Sequence, residues 1–426
     1  MTNDSNEVQQ LRAAIQELSV LNDIATAVSS ARELNEVVEL IINKCVKHLK
    51  VEQGAVMLLE EEKTDAPFRT MVRRMDSSAN IVPYHFSVQL SGWMIKNQKP
   101  LLINDFQEDR RFRIDLEKDF QIKSLLSVPL RLKGRMIGLL NVFNKRLEEG
   151  FTPEDQRLLS IIATQSAQVI ENARLYEEEQ ALHRIEEELR VAYEIQINLL
   201  PKEDPEIAGY DIAGKSVPAK EVGGDYYDFI PINDHRLAIC VGDVSGKGMP
   251  AALLMANLQA TLRGQTLFST SCGDCLQRSN KLLFQSTDIQ KFVTLFYGIL
   301  DTRKDEFYYS NAGHNNPFLF SVDGNISRLS AGGIVLGFME DYTFKEEVVY
   351  FNPGDVMVIY SDGITEAMNA NDREFGEERL EALVSENLSI SSSEIIKKII
   401  STVQSFVGDT PQIDDITLVI IKREKS

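Results

Sequence analysis

Apolar residues along the first fifty positions recur at three- and four-residue intervals. Leu11, Ile15, Leu18, Leu21, Ala25 and Val28 form one stripe, and Val37, Val38, Ile41 and Val46 a second. Each is the pattern of a helix with one face turned to a core. Short alternating or apolar runs follow. Ala55–Leu59, Phe68–Arg73, Ile81–Val88, Ser124–Leu130 and Arg135–Asn144 read as strands, and Lys133-Gly134 between the last two is a hairpin turn signal. Helices outside and antiparallel strands between them predict an α+β domain.

That domain has a clear end. Thr152-Pro153-Glu154-Asp155 offers a capping hydroxyl, a proline at the first helical position and a carboxylate at the third. The pattern then predicts one helix, free of Gly and Pro, as far as Leu200. Leu158, Ile162, Gln165, Val169, Asn172 and Tyr176 keep heptad spacing, as do Leu182, Ile185, Leu189, Ala192, Gln196 and Leu199. Between Tyr176 and Leu182 the phase slips by one residue. Acidic triplets at Glu177–Glu179 and Glu186–Glu188 mark the outer face. The stripe suits a parallel, dimeric coiled coil, with a solvated single helix as the alternative. Leu200-Pro201 stops it.

Beyond Pro201 strands and helices alternate. Strands are predicted near Tyr210–Pro218, Asp225–Pro231, Leu237–Val244, Phe292–Leu300, Phe307–Asn311, Pro317–Val322, Thr343–Phe351, Val356–Ser361 and Asp415–Lys422. Helices are predicted over Met249–Gly264, Asp274–Ser286, Glu377–Asn387 and Ser393–Val407. The pattern thus organises the 426 residues as a first domain over 1–172, a helical connector over 173–200 and a second domain over 201–426.

Charge narrows the partners. A formal net charge of -19, from 64 acidic and 45 basic residues, argues against nucleic acid, which demands a basic footprint, and against an anionic membrane surface. No apolar stretch approaches a membrane span, and the N-terminus has neither the basic nor the apolar region of a secretion signal, so a cytoplasmic location is expected. Cys272 and Cys275 could make a redox or half-zinc pair, but no matching Cys or His pair accompanies them. Ordinary reduced thiols are the expectation for these and for Cys45 and Cys240.

Four aspartates in the second half share one context. Asp225 follows Gly223-Gly224 where a strand begins. Asp243 ends the apolar run Leu237–Val241 and opens the Gly-rich turn Gly242–Gly248. Asp362 ends Val356–Tyr360 and precedes Gly363, and Asp414-Asp415 precedes Ile416–Ile421. Any one Asp-Gly is a turn signal. Repeated at strand ends, the arrangement gathers acids at one edge of a β-scaffold, where they repel one another unless cations sit among them. Without His or Cys companions the donors are all oxygen, which suits Mg²⁺ or Mn²⁺. Two such ions ~3.5–4 Å apart can activate water and clamp a phosphoryl group. Gly242–Gly248 is not a P-loop: Lys247 is followed by Gly248, and the spacing is one residue short.

At these residues the chain resembles the PPM phosphatase superfamily, and within it the sporulation stage II protein E branch that includes bacterial stress-module regulators. The resemblance is carried by Glu221-Val-Gly-Gly-Asp-Tyr-Tyr-Asp-Phe229, Gly242-Asp-Val-Ser-Gly-Lys-Gly248, Asn311-Ala-Gly-His-Asn315, Ser361-Asp-Gly-Ile364 and Asp414-Asp-Ile-Thr417. It implies an α-β-β-α sandwich holding two Mn²⁺ or Mg²⁺ ions. Asp225 and Asp243 would be central ligands, Val244 would give a backbone carbonyl, and Asp362 and Asp414 would complete the catalytic set. Asp415, also implied as a metal residue, stands where the family has Asn or Asp. Where the eukaryotic branch has a His that can act as general acid, this chain has Val244-Ser245. His314 could orient substrate or donate a proton, but its cluster also reads as a tight turn, and the structural reading is preferred.

The N-terminal domain resembles a GAF sensor through Ser127-Val-Pro-Leu130, the Gly134 turn and Ile137–Lys145. Asn144-Lys145, Phe151 and Asp155 follow the signature of cyclic-nucleotide-binding GAF domains, with Gln156 in place of its final Glu. This implies a small-molecule ligand, with a cyclic nucleotide among the candidates; a GAF domain used only for dimerisation is the alternative. No Cys stands at a bilin-attachment position.

Together the resemblances imply a metal-dependent phosphoserine/phosphothreonine protein phosphatase set by a GAF sensor and acting on an anti-sigma-factor antagonist, and the heptad stripe adds the expectation of a homodimer. Hydrolysis would be direct, since no activated Cys or Ser nucleophile is visible. The alternatives are a degenerate scaffold and a catalytically weak second-messenger receptor. Lost metal carboxylates would mark the scaffold, and none is missing.

Overall fold

The computed structural model describes residues 33–59, 68–74, 88–106, 108–109, 111–112, 122–287 and 291–425, together with residue 19. The helix expected at Leu11–Val28 lies outside the described residues, as does the strand expected at Ile81–Val88 up to its last residue. Val88 itself opens a helix. The chain divides into two compact units, Met1–Arg184 and Ile185–Ser426.

The first unit contains α1 (Leu34–Leu49), β1 (Val51–Leu59), β2 (Phe68–Arg74), α2 (Val88–Asn97), β3 (Leu101–Ile103), β4 (Leu125–Leu132) and β5 (Arg135–Lys145), followed by α3 (Pro153–Ile197), which runs on past the unit boundary. Its five strands form an antiparallel sheet in the order β2-β1-β5-β4-β3. The two-residue side-chain period splits the strands between two cores. Val56, Leu58 and Val142 pack with α1 and the start of α3, while Ala55, Met57 and Phe143 pack with α2. Lys133 and Gly134 both take positive φ, 48° and 86°, as a two-residue hairpin turn requires. Thr152 and Asp155 form the expected helix start: Asp155 N–H donates to Thr152 Oγ1 (3.2 Å) and Thr152 N–H to Asp155 Oδ2 (3.0 Å).

The heptad reading of α3 needs correction at both ends. Over its first half the face buried against the core is Leu159, Ile162, Ala163, Ala167, Ile170 and Ala173, so Ile162 is core rather than seam. Gln165 and Asn172 are exposed. The phase slip therefore coincides with the point where the stripe stops facing its own domain. Leu182, Ile185 and Ile195 beyond it are exposed, as is Leu175 just before it. Gln196, counted in the seam, is buried.

The second unit contains β6 (Tyr210–Val217), β7 (Tyr226–Asn233), β8 (Arg236–Val244), α4 (Met249–Thr266), α5 (Cys272–Ser286), β9 (Val293–Asp301) and β10 (Glu306–Ala312). Then come β11 (Phe318–Phe320), β12 (Ile326–Arg328), β13 (Gly332–Gly333), β14 (Glu347–Tyr350), β15 (Val356–Tyr360), α6 (Asp362–Thr365), α7 (Glu377–Ser385), α8 (Ser392–Val407) and β16 (Ile416–Arg423). One sheet runs β13-β10-β9-β8-β7 with β14 beside β10; the other runs β12-β11-β15-β16-β6. Three cores define four layers. Met255, Leu258 and Leu276 of α4 and α5 cover the first sheet. Phe296, Phe307, Ile359 and Val419 fill the space between sheets. Ile395, Ile399 and Val403 of α8 cover the second. The unit is the expected α-β-β-α sandwich.

Candidate active site

Antiparallel pairing delivers the aspartates. Tyr226 lies opposite Gly242 in the β7–β8 pair, which sets Asp225 at the start of β7 beside Asp243 near the end of β8. In the other sheet Tyr360 lies opposite Leu418, and beyond that pair Ser361 N–H donates to Thr417 O (2.9 Å). Asp362, Asp414 and Asp415 therefore share one end. The two ends meet: Asp415 Oδ2 accepts from the N–H groups of Gly224 (2.8 Å) and Asp225 (3.3 Å), and its Oδ1 from Ala219 N–H (2.7 Å).

These contacts separate Asp415 from Asp414. Asp415 is buried and commits both oxygens to the loop that carries Asp225. Asp414 is more open; its Oδ2 meets Lys247 Nζ at 2.9 Å, and Lys247 also donates to Ile413 O (2.8 Å). Sequence reasoning set Lys247 aside with the P-loop. Nothing in the local sequence pairs it with Asp414, because 167 positions separate them.

Electrostatics follow from the crowding. Burial, then the charges of Asp362, Asp414 and Asp415, pushes Asp243 up to about 7. Burial, then Asp243 and Asp415, holds Asp225 well above the usual carboxylate range. Burial and Asp414 raise Asp362, and burial and Asp362 raise Glu366. Asp225 Oδ2 is buried without a hydrogen-bond partner among the described residues. An open acceptor among carboxylates fits a hard cation, which would satisfy the oxygen and relieve the repulsion together. Among the described residues no three His, Cys, Asp or Glu side chains are arranged to hold an ion. Gly224 lets the backbone carbonyl join the acids. A Cβ there would lie 2.8 Å from Val244 O and 3.3 Å from Asp243 Oδ1.

His314 lies in a hydrogen-bonded turn, with its Nε2 buried and without a partner among the described residues. It is 6% exposed, with Nδ1 2.9 Å from Thr294 Oγ1 and its backbone N–H donating to Asn311 Oδ1 (2.8 Å). Burial pulls its pKa down to about 4, so it is neutral near pH 7. The geometry is that of a turn.

In the first unit the signature residues brace one another. Lys145 Nζ meets Asp155 at 2.7 and 2.8 Å and lies 5.9 Å from the centre of the Phe151 ring. Asn144 Oδ1 accepts from Lys123 N–H (2.8 Å) and its Nδ2 donates to Glu52 (2.8 Å). All four cysteines are buried free thiols.

Comparison with known proteins places both units. The GAF domain model matches residues 31–171, and the stage II sporulation protein E (SpoIIE) model matches residues 233–424. The phosphoserine phosphatase RsbU of Bacillus subtilis (strain 168) is 33% identical over 255 residues, covering 58% of this chain and 75% of that protein. The chain belongs to the RsbU-like, SpoIIE-type serine phosphatase family. It is a regulated serine/threonine protein phosphatase with a GAF domain, and phosphatases of this type are metal-dependent. The phosphoserine phosphatase RsbP of the same organism is 28% identical over 186 residues, 42% of this chain and 45% of that protein. The SiaA-PP2C domain of Pseudomonas aeruginosa shares the fold, with a TM-score of 0.50 at 21% identity, covering 57% of this chain and 98% of that one. The SpoIIE match begins after Asp225, so the place of that residue in the site rests on the β7–β8 geometry.

Proposed function

We propose that this SpoIIE-type phosphatase removes phosphate from a phosphoserine or phosphothreonine of a partner protein, an anti-sigma-factor antagonist, at a two-ion site. The observation that carries the reading is the convergence of carboxylates from two sheets around the unpartnered Asp225 Oδ2. Asp225, Asp243, Asp362 and Asp414 would hold Mn²⁺ or Mg²⁺, with the Val244 carbonyl, and Asp415 would take part chiefly by fixing the Asp225 loop. When bound, two such ions supply an activated water and neutralise charge on the phosphoryl oxygens. The chain's own residues hold the acids in place through strand ends, and Lys247 balances Asp414 at the more exposed side of the site. No cysteine competes as nucleophile, since burial keeps Cys240 and Cys272 protonated.

The regulatory part of the proposal assigns 1–172 to the GAF sensor, 173–200 to a coiled-coil connector of a homodimer and 201–426 to the phosphatase, in a cytoplasmic protein. A small molecule, with cyclic nucleotides to be screened first, would set the rate. The exposed apolar residues Leu175, Leu182, Ile185 and Ile195 support a second copy on the connector, and no described helix is long and apolar enough to cross a membrane. Phosphate release from a phosphorylated antagonist, measured with Mn²⁺ and after EDTA, tests the enzyme. Asp243→Asn is expected to abolish Mn²⁺-dependent turnover with circular dichroism unchanged. Full turnover after exhaustive chelation, or an active Asp243→Asn chain, refutes the two-ion site.

A further inference from the structure

The last turn of α3 reaches the acidic site through one side chain. Gln196 is 9% exposed. Its Nε2 donates to Gly223 O at 2.6 Å, and its Oε1 accepts from Gly223 N–H at 3.1 Å. One planar amide thus takes both the donor and the acceptor of a single residue, as a neighbouring strand would. Gly223 needs that partner, because residues 218–225 precede β7 and lie outside the sheet.

The other fixings of this loop go to Asp415, through the N–H groups of Ala219, Gly224 and Asp225. A Cβ on Gly223 would stand 2.1 Å from Asp415 Oδ2, so the loop is pressed against the carboxylate with no room for a side chain. Asp415 therefore holds the loop on one side and Gln196 on the other. Asp225 follows Gly223 by two residues, a distance over which a peptide displaced at one end carries the other with it. Beside the contact lies a cavity of about 240 Å³ lined by Tyr193, Gln196, Leu200, Val217, Gly223 and Asp225, which leaves space for the helix end to shift off the loop.

We propose that Gln196 is a positioning residue: the last turn of the connector helix sets the backbone that presents Asp225, and displacing that turn weakens the ion site without altering any carboxylate. The inference rests on the reading of Asp225 as a metal ligand. It gives the connector a direct mechanical hold on the site, independent of what the GAF domain binds.

The test uses the full chain and Mn²⁺ alone as probe. Calorimetric Mn²⁺ affinity is measured for wild type, Gln196→Leu, Gln196→Glu and Asp243→Asn, alongside kcat and KM for a phosphorylated protein substrate and a thermal melt. Gln196→Leu is expected to bind Mn²⁺ roughly tenfold more weakly, the scale of losing the paired contacts to a buried backbone. Its kcat should recover at saturating Mn²⁺ with KM for the phosphoprotein unchanged. Gln196→Glu, which keeps the acceptor and loses the donor, should fall between. A purely structural role would lower the melting temperature and leave Mn²⁺ affinity alone, and that result overturns the proposal. Should Gln196→Leu fail to fold, hydrogen exchange decides in the wild type: the Gly223 amide is expected to be protected, and exchange at the rate of an open loop overturns the contact. Wild type that binds no Mn²⁺ removes the underlying ion site, and this inference with it. Wild type and Gln196→Leu binding equally well, with Asp243→Asn impaired, removes the inference alone.

Discussion

The close approach of the two sheets at the acidic end makes Gly363 the sharpest steric probe of the site. It follows Asp362 in α6 and faces the backbone where β16 begins. A Cβ placed on it would stand 1.9 Å from Asp415 O, 2.8 Å from Asp415 C and 3.3 Å from Asp414 C. The first distance is roughly 1.5 Å short of ordinary contact. Neither party yields easily, since Asp415 O also accepts from Ser361 Oγ (3.2 Å) and Asp415 Oδ atoms hold the Asp225 loop. Overpacking costs about 1–3 kcal/mol, and a disturbed hydrogen bond adds about 0.5–1.5 kcal/mol. Gly363→Ala is thus expected to destabilise the second unit by about 2–4 kcal/mol, a fall in Tm of about 5–15 °C for a unit of this size. It should also weaken Mn²⁺ binding, because Asp362 and Asp414 are driven apart. The control is Gly264→Ala. Gly264 is exposed in α4, with nothing within 4 Å of the place a methyl group would take, so the same substitution should stabilise by about 0.5–1 kcal/mol. Calorimetry of both variants decides the matter. Trp93, the only tryptophan in the sequence, reports separately on the first unit by fluorescence. A Gly363→Ala melt within about 1 °C of wild type would refute the steric reasoning.

Three further outcomes can be checked. Lys145→Met leaves the half-buried Asp155 without its lysine partner (side-chain exposures 6% for Lys145 and 15% for Asp155) and should destabilise the first unit by about 1–3 kcal/mol; an unchanged Trp93 melt counts against the bracing role. His314 is held neutral by burial, with its pKa lowered from 6.5 to about 4. The unfolded chain takes up that proton in this window and the folded chain refuses it, so stability falls as pH drops from 6.5 towards 4, by roughly 3 kcal/mol in full. Urea unfolding of wild type and His314→Gln at pH 7 and pH 4.5 should show the smaller pH loss in the variant, and equal losses would exclude His314 as the source. If the exposed stripe of α3 is a dimer seam, Leu182→Glu with Ile185→Glu should turn a sedimenting dimer into a monomer at micromolar concentration; a wild-type monomer contradicts the coiled coil.

Much of this protein was legible along the chain. Alternation located most long strands to within one or two residues, with β5 expected to end at Asn144 and ending at Lys145, but it opened β1 four residues late, at Ala55 instead of Val51. Local chemistry named the Lys133-Gly134 turn and the Thr152 helix start, because both are settled by neighbours within a few positions. The four Asp contexts were readable for the same reason: a strand end and a glycine are local facts. Periodicity failed where it had to name a partner. It marks a face as apolar without saying what covers it, so Ile162 and Gln196 were placed in one seam, whereas the fold gives the first to the core of its own domain and the second to Gly223. The short elements β3, β12, β13 and α6 were missed, since two to four residues carry no period, and so was the helix α2, where a strand is expected up to Val88. The resemblance chose Asp414 over its neighbour Asp415 for the catalytic set, but nothing local in the sequence gives a physical reason for the choice. Only the meeting of two sheets distinguishes them, turning Asp415 inward onto the amides of residues 219–225 and Asp414 outward to Lys247. These pairings join residues up to 196 positions apart, and such contacts depend on how whole sheets stack rather than on any window of sequence.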